Sequence, residues 1–244
     1  MTTLLPGFTN MVHRVELDGV PVVIRQGRPI AKLLGIDRDR EIAVLRQIRG
    51  LEIGPELLRF DAARDRTTFR AIPGVALDHC TPDRALLART LHQLARLHRQ
   101  PLDGRTLLGQ PFSAASMIRR YLEMRAVPLE LERTCVHQAL LAEDLEREAS
   151  LCLCHNDCVS KNWILLPDGS VRMIDFEFAA RHDPAFDLAT WCRSFGIGLE
   201  DSLLAEYEQW NPRLAGRVRV YIPVVDTLWV LFRGILATED ARGR

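Results

Sequence analysis

The sequence predicts an α+β protein in two lobes, a β-rich one over residues 1–73 and a mainly helical one over 74–244. Three observations predict it. Two β-branched runs, VHRVEL (12–17) and VPVVIRQ (20–26), flank Asp18-Gly19, a strong two-residue hairpin signal. Leu87, Leu91 and Leu94 recur at helical spacing in a segment that Thr81-Pro82-Asp83 opens and Pro101 closes. Between these halves, Pro73-Gly74 breaks both patterns and marks a linker.

The remaining elements follow in order. IDRDREIAVLRQIRG (36–50) places Ile42, Leu45 and Ile48 on one helical stripe and ends on Gly50. LLRFD (57–61) and TTFRAI (67–72) form a second strand pair, divided by the polar run AARDR. Beyond the helix over 83–99, two more helices are expected at about 113–125 and 128–148. LCLC (151–154), WILL (163–166) and VRMID (171–175) are short apolar strands. Pro167-Asp168-Gly169 turns the last two into a hairpin. Helices are expected again at 185–195, 200–210 and 213–236, with Pro223 breaking or kinking the last.

Composition narrows the function. Acidic and basic residues balance at 32 each, so nucleic acid, which selects a basic surplus, is not an expected partner. The N-terminus lacks the basic and apolar regions of a secretory signal, and no run approaches 18 apolar residues. Six cysteines without an export signal point to free thiols in a reducing compartment, the cytoplasm. Only Lys32 and Lys161 are lysines, so any role that needs one has two candidates.

The stretch CLCHNDC (152–158) first resembles a metal knot. Structural zinc needs two ligand pairs, and no distant CxxC or HxxxH completes a tetrahedron. A thiol nucleophile needs a base and an orienting group, and His155 diverges from the cysteines at a strand end. Buried strand cysteines pack as small hydrophobes. The polar residues carry more. Asp157 precedes Asn162 by five residues and Asp175 by eighteen, in the layout H-x-D-x-x-x-x-N, hairpin, I-D-F. That is the layout of a phosphotransfer loop. A free carboxylate, Asp157, orients the attacking hydroxyl; Asn162 and Asp175 offer the oxygen ligands that magnesium requires.

HNDCVSKNWIL and IDFEFAARHDPAFDLA together resemble the choline/ethanolamine kinase family, within the aminoglycoside-phosphotransferase group of protein-kinase-like folds. The likeness extends over nearly the whole chain. LLPGFTNMVHRV (4–15) is similar to the family's opening phosphate hairpin, although Pro6 replaces its first glycine. The resemblance implies ATP and Mg²⁺ as cofactors, with phosphate contacts from backbone amides of Gly7, Thr9 and Asn10. GVPVVIRQG (19–27) resembles the third strand, so Arg25 is expected on the nucleotide phosphates and Glu41 as its ion-pair partner. FRAIPG (69–74) resembles the hinge, which implies nucleotide contacts from Ala71 and Ile72. His155 and Asp187 are expected to support the catalytic loop.

For the acceptor, the family implies a small, cationic alcohol such as choline or ethanolamine, bound by Asp157, Glu177, Phe178, Trp229 and Phe232. Trp229 and Phe232, three apart, share a helix face. A cation–π contact contributes about 0.5–2 kcal/mol. A carboxylate 4 Å from a cation gives about 4 kcal/mol at an effective dielectric of about 20. Glu177, two residues after Asp175 on the same strand, is therefore expected to select charge while the aromatics shape the pocket. Thiamine, aminoglycosides and sugars remain alternatives, as does a kinase-fold binding protein without catalysis. Oligomeric state is not legible.

Overall fold

The computed structural model describes residues 3–5, 7–102, 111–124 and 127–242. The N-terminal region is a five-stranded antiparallel sheet in the order β1-β2-β3-β5-β4. Its strands are β1 (Thr3–Leu5), β2 (Asn10–Leu17), β3 (Val20–Gly27), β4 (Leu57–Asp61) and β5 (Arg66–Arg70). Asp18 and Gly19 both take positive φ, 51° and 76°, so the β2–β3 turn has the left-handed geometry its sequence signals. Helices α1 (Pro29–Leu33) and α2 (Arg38–Gln47) leave the end of β3. Asp37 caps α2, its carboxylate accepting from Arg40 N at 3.0 Å. Ile42, Val44, Leu45 and Ile48 then bury one face of α2.

The chain crosses through β6 (Val75–Ala76) into a mainly helical part: α3 (Arg84–His98), α4 (Ala114–Met124) and α5 (Leu129–Arg147). Residue 125, the expected end of the helix at 113–125, lies outside the described residues. Next come β7 (Cys152–Cys154), β8 (Trp163–Leu165), β9 (Val171–Met173), β10 (Ala180–His182), α6 (Pro184–Phe195) and α7 (Pro212–Arg242). The expected hairpin is β8–β9, with Trp163 opposite Met173. The strand through LCLC pairs instead with β10, Cys154 opposite Ala180.

Three expectations need correction. The helix at 200–210 is a single 3₁₀ turn, Ser202–Glu206, that Asp201 caps and that drives Leu203 and Leu204 into the core. Strand β9 stops at Met173, so Asp175 and Glu177 follow it in an irregular turn and a 3₁₀ turn. Pro223 neither ends nor interrupts α7. A mid-helix proline costs about 3 kcal/mol. Val218, Tyr221, Val224, Val225 and Leu231 are almost fully buried along that helix, each worth about 1.5–3 kcal/mol, and their packing outweighs the loss.

By length and composition, Pro212–Thr238 is apolar enough to cross a membrane, although Arg213, Arg217, Arg219, Asp226 and Arg233 interrupt it. Here 44% of its most apolar stretch is buried inside the protein, packed on α4, α5 and α6.

Candidate active site

The site is built around the loop after β7. His155 and Asn156 enter a buried turn, and Asn156 adopts φ 63°, which a non-glycine residue holds only when its surroundings fix it. They do so on two sides. The Asp187 carboxylate of α6 accepts from the backbone N–H of His155 at 2.8 Å and of Asn156 at 2.6 Å. The Asn156 amide donates to Phe178 O, and its oxygen accepts from His182 Nδ1 at 2.8 Å.

His155 is part of the brace. Its Nε2 donates to Ile174 O at 2.9 Å, so Nδ1 carries no hydrogen and accepts from Asp157 N at 3.3 Å. Both ring nitrogens are committed. Asp187 also takes a bond from His98 Nε2 at 3.0 Å. Burial opposes its ionisation, but His98, His155 and these donors hold the carboxyl below its usual range. The N-cap of α6 is Asp183, which accepts from Ala185 N at 3.0 Å. Asp187 therefore braces the loop and leaves the cap to Asp183.

Asp157 and Asn162 meet as their spacing requires. Asn162 Nδ2 donates to the Asp157 carbonyl at 2.9 Å and carboxylate at 2.7 Å. With both amide hydrogens used, its oxygen is left for another ligand. Burial pushes the Asp157 carboxyl up from 3.8, against the nearby charge of Lys161. Ile174 N bonds Asn162 O at 2.9 Å, which brings Asp175 alongside. Asp175 sits at φ 65°, the left-handed turn that re-aims its carboxylate away from β9.

Arg25 and Glu41 also come together. Arg25 Nη2 lies 2.5 Å from Glu41 Oε1, Nη1 lies 3.3 Å from Asp175, and the guanidinium stacks 5.2 Å from the Phe69 ring. Burial disfavours the Arg25 charge, yet Glu41 and Asp175 more than compensate and raise its pKa.

Two cavities flank this centre. One, of about 470 Å³, is lined by Asn10, Arg25, Glu41, Ala71, Ile72 and Asn162 among others. The second, of about 190 Å³, has Phe112, Tyr121, Phe178, Phe186, Trp229 and Phe232 on its wall, beside aliphatic residues and the carboxylates of Asp157, Asp175 and Glu177. Asp157 stands on its polar wall.

A model of the phosphotransferase enzyme family matches residues 2–221. The chain belongs to that family. The phosphotransferase is similar to an uncharacterised protein of Deinococcus radiodurans, 28% identical over 82% of this chain and 67% of that one. It is also 29% identical to the LicA protein of Haemophilus influenzae, over 51% of this chain and 48% of that one. The chain thus spans about half to two thirds of the length of these relatives. Among solved structures, choline kinase LicA from Streptococcus pneumoniae superposes with a TM-score of 0.80 at 20% identity, over 98% of this chain and 86% of that one. An aminoglycoside phosphotransferase from Streptomyces rimosus gives 0.68 at 20% identity, over 93% and 92%. The fold is that of the two-lobed kinases.

Sequence reasoning missed Arg38 and the partners of Glu177. Glu177 is 4% exposed, and its carboxylate is already occupied. Thr9 Oγ1 donates at 2.9 Å, Asn10 Nδ2 at 2.9 Å and Arg38 Nη1 at 3.3 Å. Burial and the charge of Asp175 push the Glu177 carboxyl up to about 8, against Arg25 and Arg38. Glu177 nevertheless lines the smaller cavity, where its Oε1 accepts from the Thr9 hydroxyl while Asn10 and Arg38 bond Oε2. Arg38 also meets Glu41 at 2.9 Å and Asp65 at 3.4 Å. The only signal for it was the arginine-rich opening of a helix. Gly7 has a steric role: a Cβ there would lie 2.5 Å from Asn10 O. Pro6 lies outside the described residues. Thr9 and Asn10 turn their side chains to Glu177 rather than outward.

Asp175 and the Asn162 oxygen supply hard oxygen donors on the wall of the larger cavity, with Asp175 partly exposed. That donor set fits magnesium with its remaining positions filled by phosphate and water. The cysteines form no such site. His98 Nε2 or Nδ1 and the thiols of Cys152 and Cys154 come within 4.8 Å of one another, but Asp187 and Tyr207 occupy both ring nitrogens.

Proposed function

We propose that this chain transfers the γ-phosphoryl group of ATP to the hydroxyl of a small quaternary-ammonium alcohol of the choline type. The observation that carries this reading is the composition of the smaller cavity. Its far wall is aromatic and aliphatic, its carboxylates Asp157 and Asp175 stand at the mouth shared with the phosphotransfer loop, and Glu177 already accepts from Thr9, Asn10 and Arg38. A trimethylammonium group needs no hydrogen-bond acceptor and is attracted to ring faces. A primary ammonium or a polyhydroxylated sugar would leave donors that face the aromatic wall unpaired, at about 1–3 kcal/mol each. Choline is therefore favoured over ethanolamine, thiamine, aminoglycosides and sugars.

In this reading residues 1–73 clamp the nucleotide phosphates, and residues 74–244 carry the loop, metal donors and acceptor pocket. Asp157 accepts the acceptor's hydroxyl proton as its oxygen attacks Pγ; the bond from Pγ to the ADP oxygen breaks. The proton passes from Asp157 to solvent, and ADP leaves. Arg25, fixed by Glu41, holds the phosphates, and Ala71 and Ile72 border the base. Asn162 and Asp175 would hold Mg²⁺, which neutralises phosphate charge when bound. No covalent enzyme intermediate is needed. Six unpaired cysteines suit the reducing cytoplasm.

The test is ADP release with Mg²⁺ and ATP over choline, ethanolamine, thiamine, an aminoglycoside and a simple sugar. The expected result is the highest kcat/KM for choline, with ethanolamine at least tenfold lower. A preference for the aminoglycoside or sugar, or no turnover with any acceptor, would overturn the assignment.

A further inference from the structure

The phosphotransfer reading leaves one charged residue at the centre without a role. Lys161 is one of two lysines in a chain with 32 basic residues. It and Asp175 are the two residues that line both cavities. They stand where the two cavities share a wall.

The backbone around Lys161 is held firmly while its side chain is exposed. It sits in the 3₁₀ turn Ser160–Asn162. Ser160 N donates to Ser194 Oγ at 2.7 Å, Asn162 N to Val159 O at 2.9 Å, and Asn162 O accepts from Ile174 N. The turn therefore presents the lysine from a fixed base. Among the described residues, its ammonium makes no hydrogen bond or ion pair. It acts on Asp157 through charge alone.

The neighbouring arginines are committed. Arg25 is held by Glu41 and Asp175, and Arg38 by Glu41, Glu177, Asn10 and Asp65. Among the described residues, Lys161 is the one cation on the wall common to both cavities. Phosphoryl transfer spreads negative charge over the equatorial oxygens of Pγ as its old bond breaks and its new one forms. That charge develops between two carboxylates, Asp157 and Asp175, which would repel it. A compact ammonium on a flexible stem can follow the group across the gap, whereas a guanidinium fork locked in ion pairs cannot.

We propose that Lys161 is a catalytic residue whose ammonium contacts the phosphoryl group during transfer. This rests on the phosphotransferase reading above. A group that acts mainly on the transition state changes kcat more than binding.

The experiment compares wild type, K161M and K161R of the whole chain, with the best acceptor of the panel above. Thermal melts establish folding, and Mg·ADP affinity and acceptor KM are measured beside kcat. Loss of one such charge contact is expected to lower kcat of K161M by about 10²-fold. Mg·ADP affinity and acceptor KM should stay within about twofold of wild type, and K161R should recover part of kcat. If wild type turns over the acceptor and K161M matches its kcat within twofold, Lys161 is not catalytic. If K161M loses Mg·ADP affinity as much as kcat, its role is ground-state binding and the inference also fails. A wild type that turns over no acceptor fails at the earlier step and removes the basis for both.

Discussion

Asp157 and Asp175 have the same side chain, and their surroundings separate them. Asp157 is half-buried and bonded by Asn162, with its carboxyl pushed up from 3.8; Asp175, also half-buried, is paired with Arg25. D157A is expected to lower kcat by about 10²–10⁴-fold while retaining Mg·ATP binding, as loss of a general base does. D175A should weaken that metal-dependent binding, read by calorimetry with and without Mg²⁺. The carboxylate is the working form of Asp157, so activity falls as pH drops through its raised pKa. These residues were legible because their spacing is local: five residues for Asp157 to Asn162, and a hairpin for Asp175. The partners of Glu177 were not legible because Thr9, Asn10 and Arg38 lie more than 130 residues away, where only packing decides which donor arrives.

At the scale of elements, the loop depends on helix α6. Asp187 links that helix to two loop amides and to His98 on α3. D187N keeps the shape but replaces a charged acceptor with an amide that presents hydrogens to donors. Breaking a buried charged network of this kind costs about 3–5 kcal/mol, measured by urea denaturation near pH 7. The sign in pH follows from the depressed pKa. A carboxyl held below its unfolded value of 3.8 contributes stability above that pH and loses it as pH falls further. The gap between D187N and wild type should therefore narrow below pH 3.8; a constant gap would show that charge is not the cause. The start of α3 was readable from Asp83, whereas the caps of α2 and α6, Asp37 and Asp183, emerged only in the structure. Strands β1, β6 and β10 were not readable either, being two or three residues long and set by partners distant in sequence.

At the scale of the whole molecule, one arginine ties the two regions together. Arg38, at the start of α2, bonds Asn10 at the head of β2, Glu41 in its own helix and Glu177 beyond β9. The sheet and the Asp175–Glu177 segment thus share one guanidinium, and the larger cavity borders both. The helical stripe of α2 predicted its packing face, but the polar side of a helix carries no period that names a partner. R38M leaves Glu41 and Glu177 short of a buried countercharge and should lower stability, with weaker protection of the melt by Mg·ATP. E177Q removes the same partnership from the other side. If the pair couples the regions, the double variant R38M/E177Q loses less than the two single losses combined, by about 1–3 kcal/mol. Singles that add within about 0.5 kcal/mol would mean that Arg38 acts through Glu41 alone. In that case R38M would weaken Mg·ATP binding through Arg25, and E177Q would leave that binding unchanged.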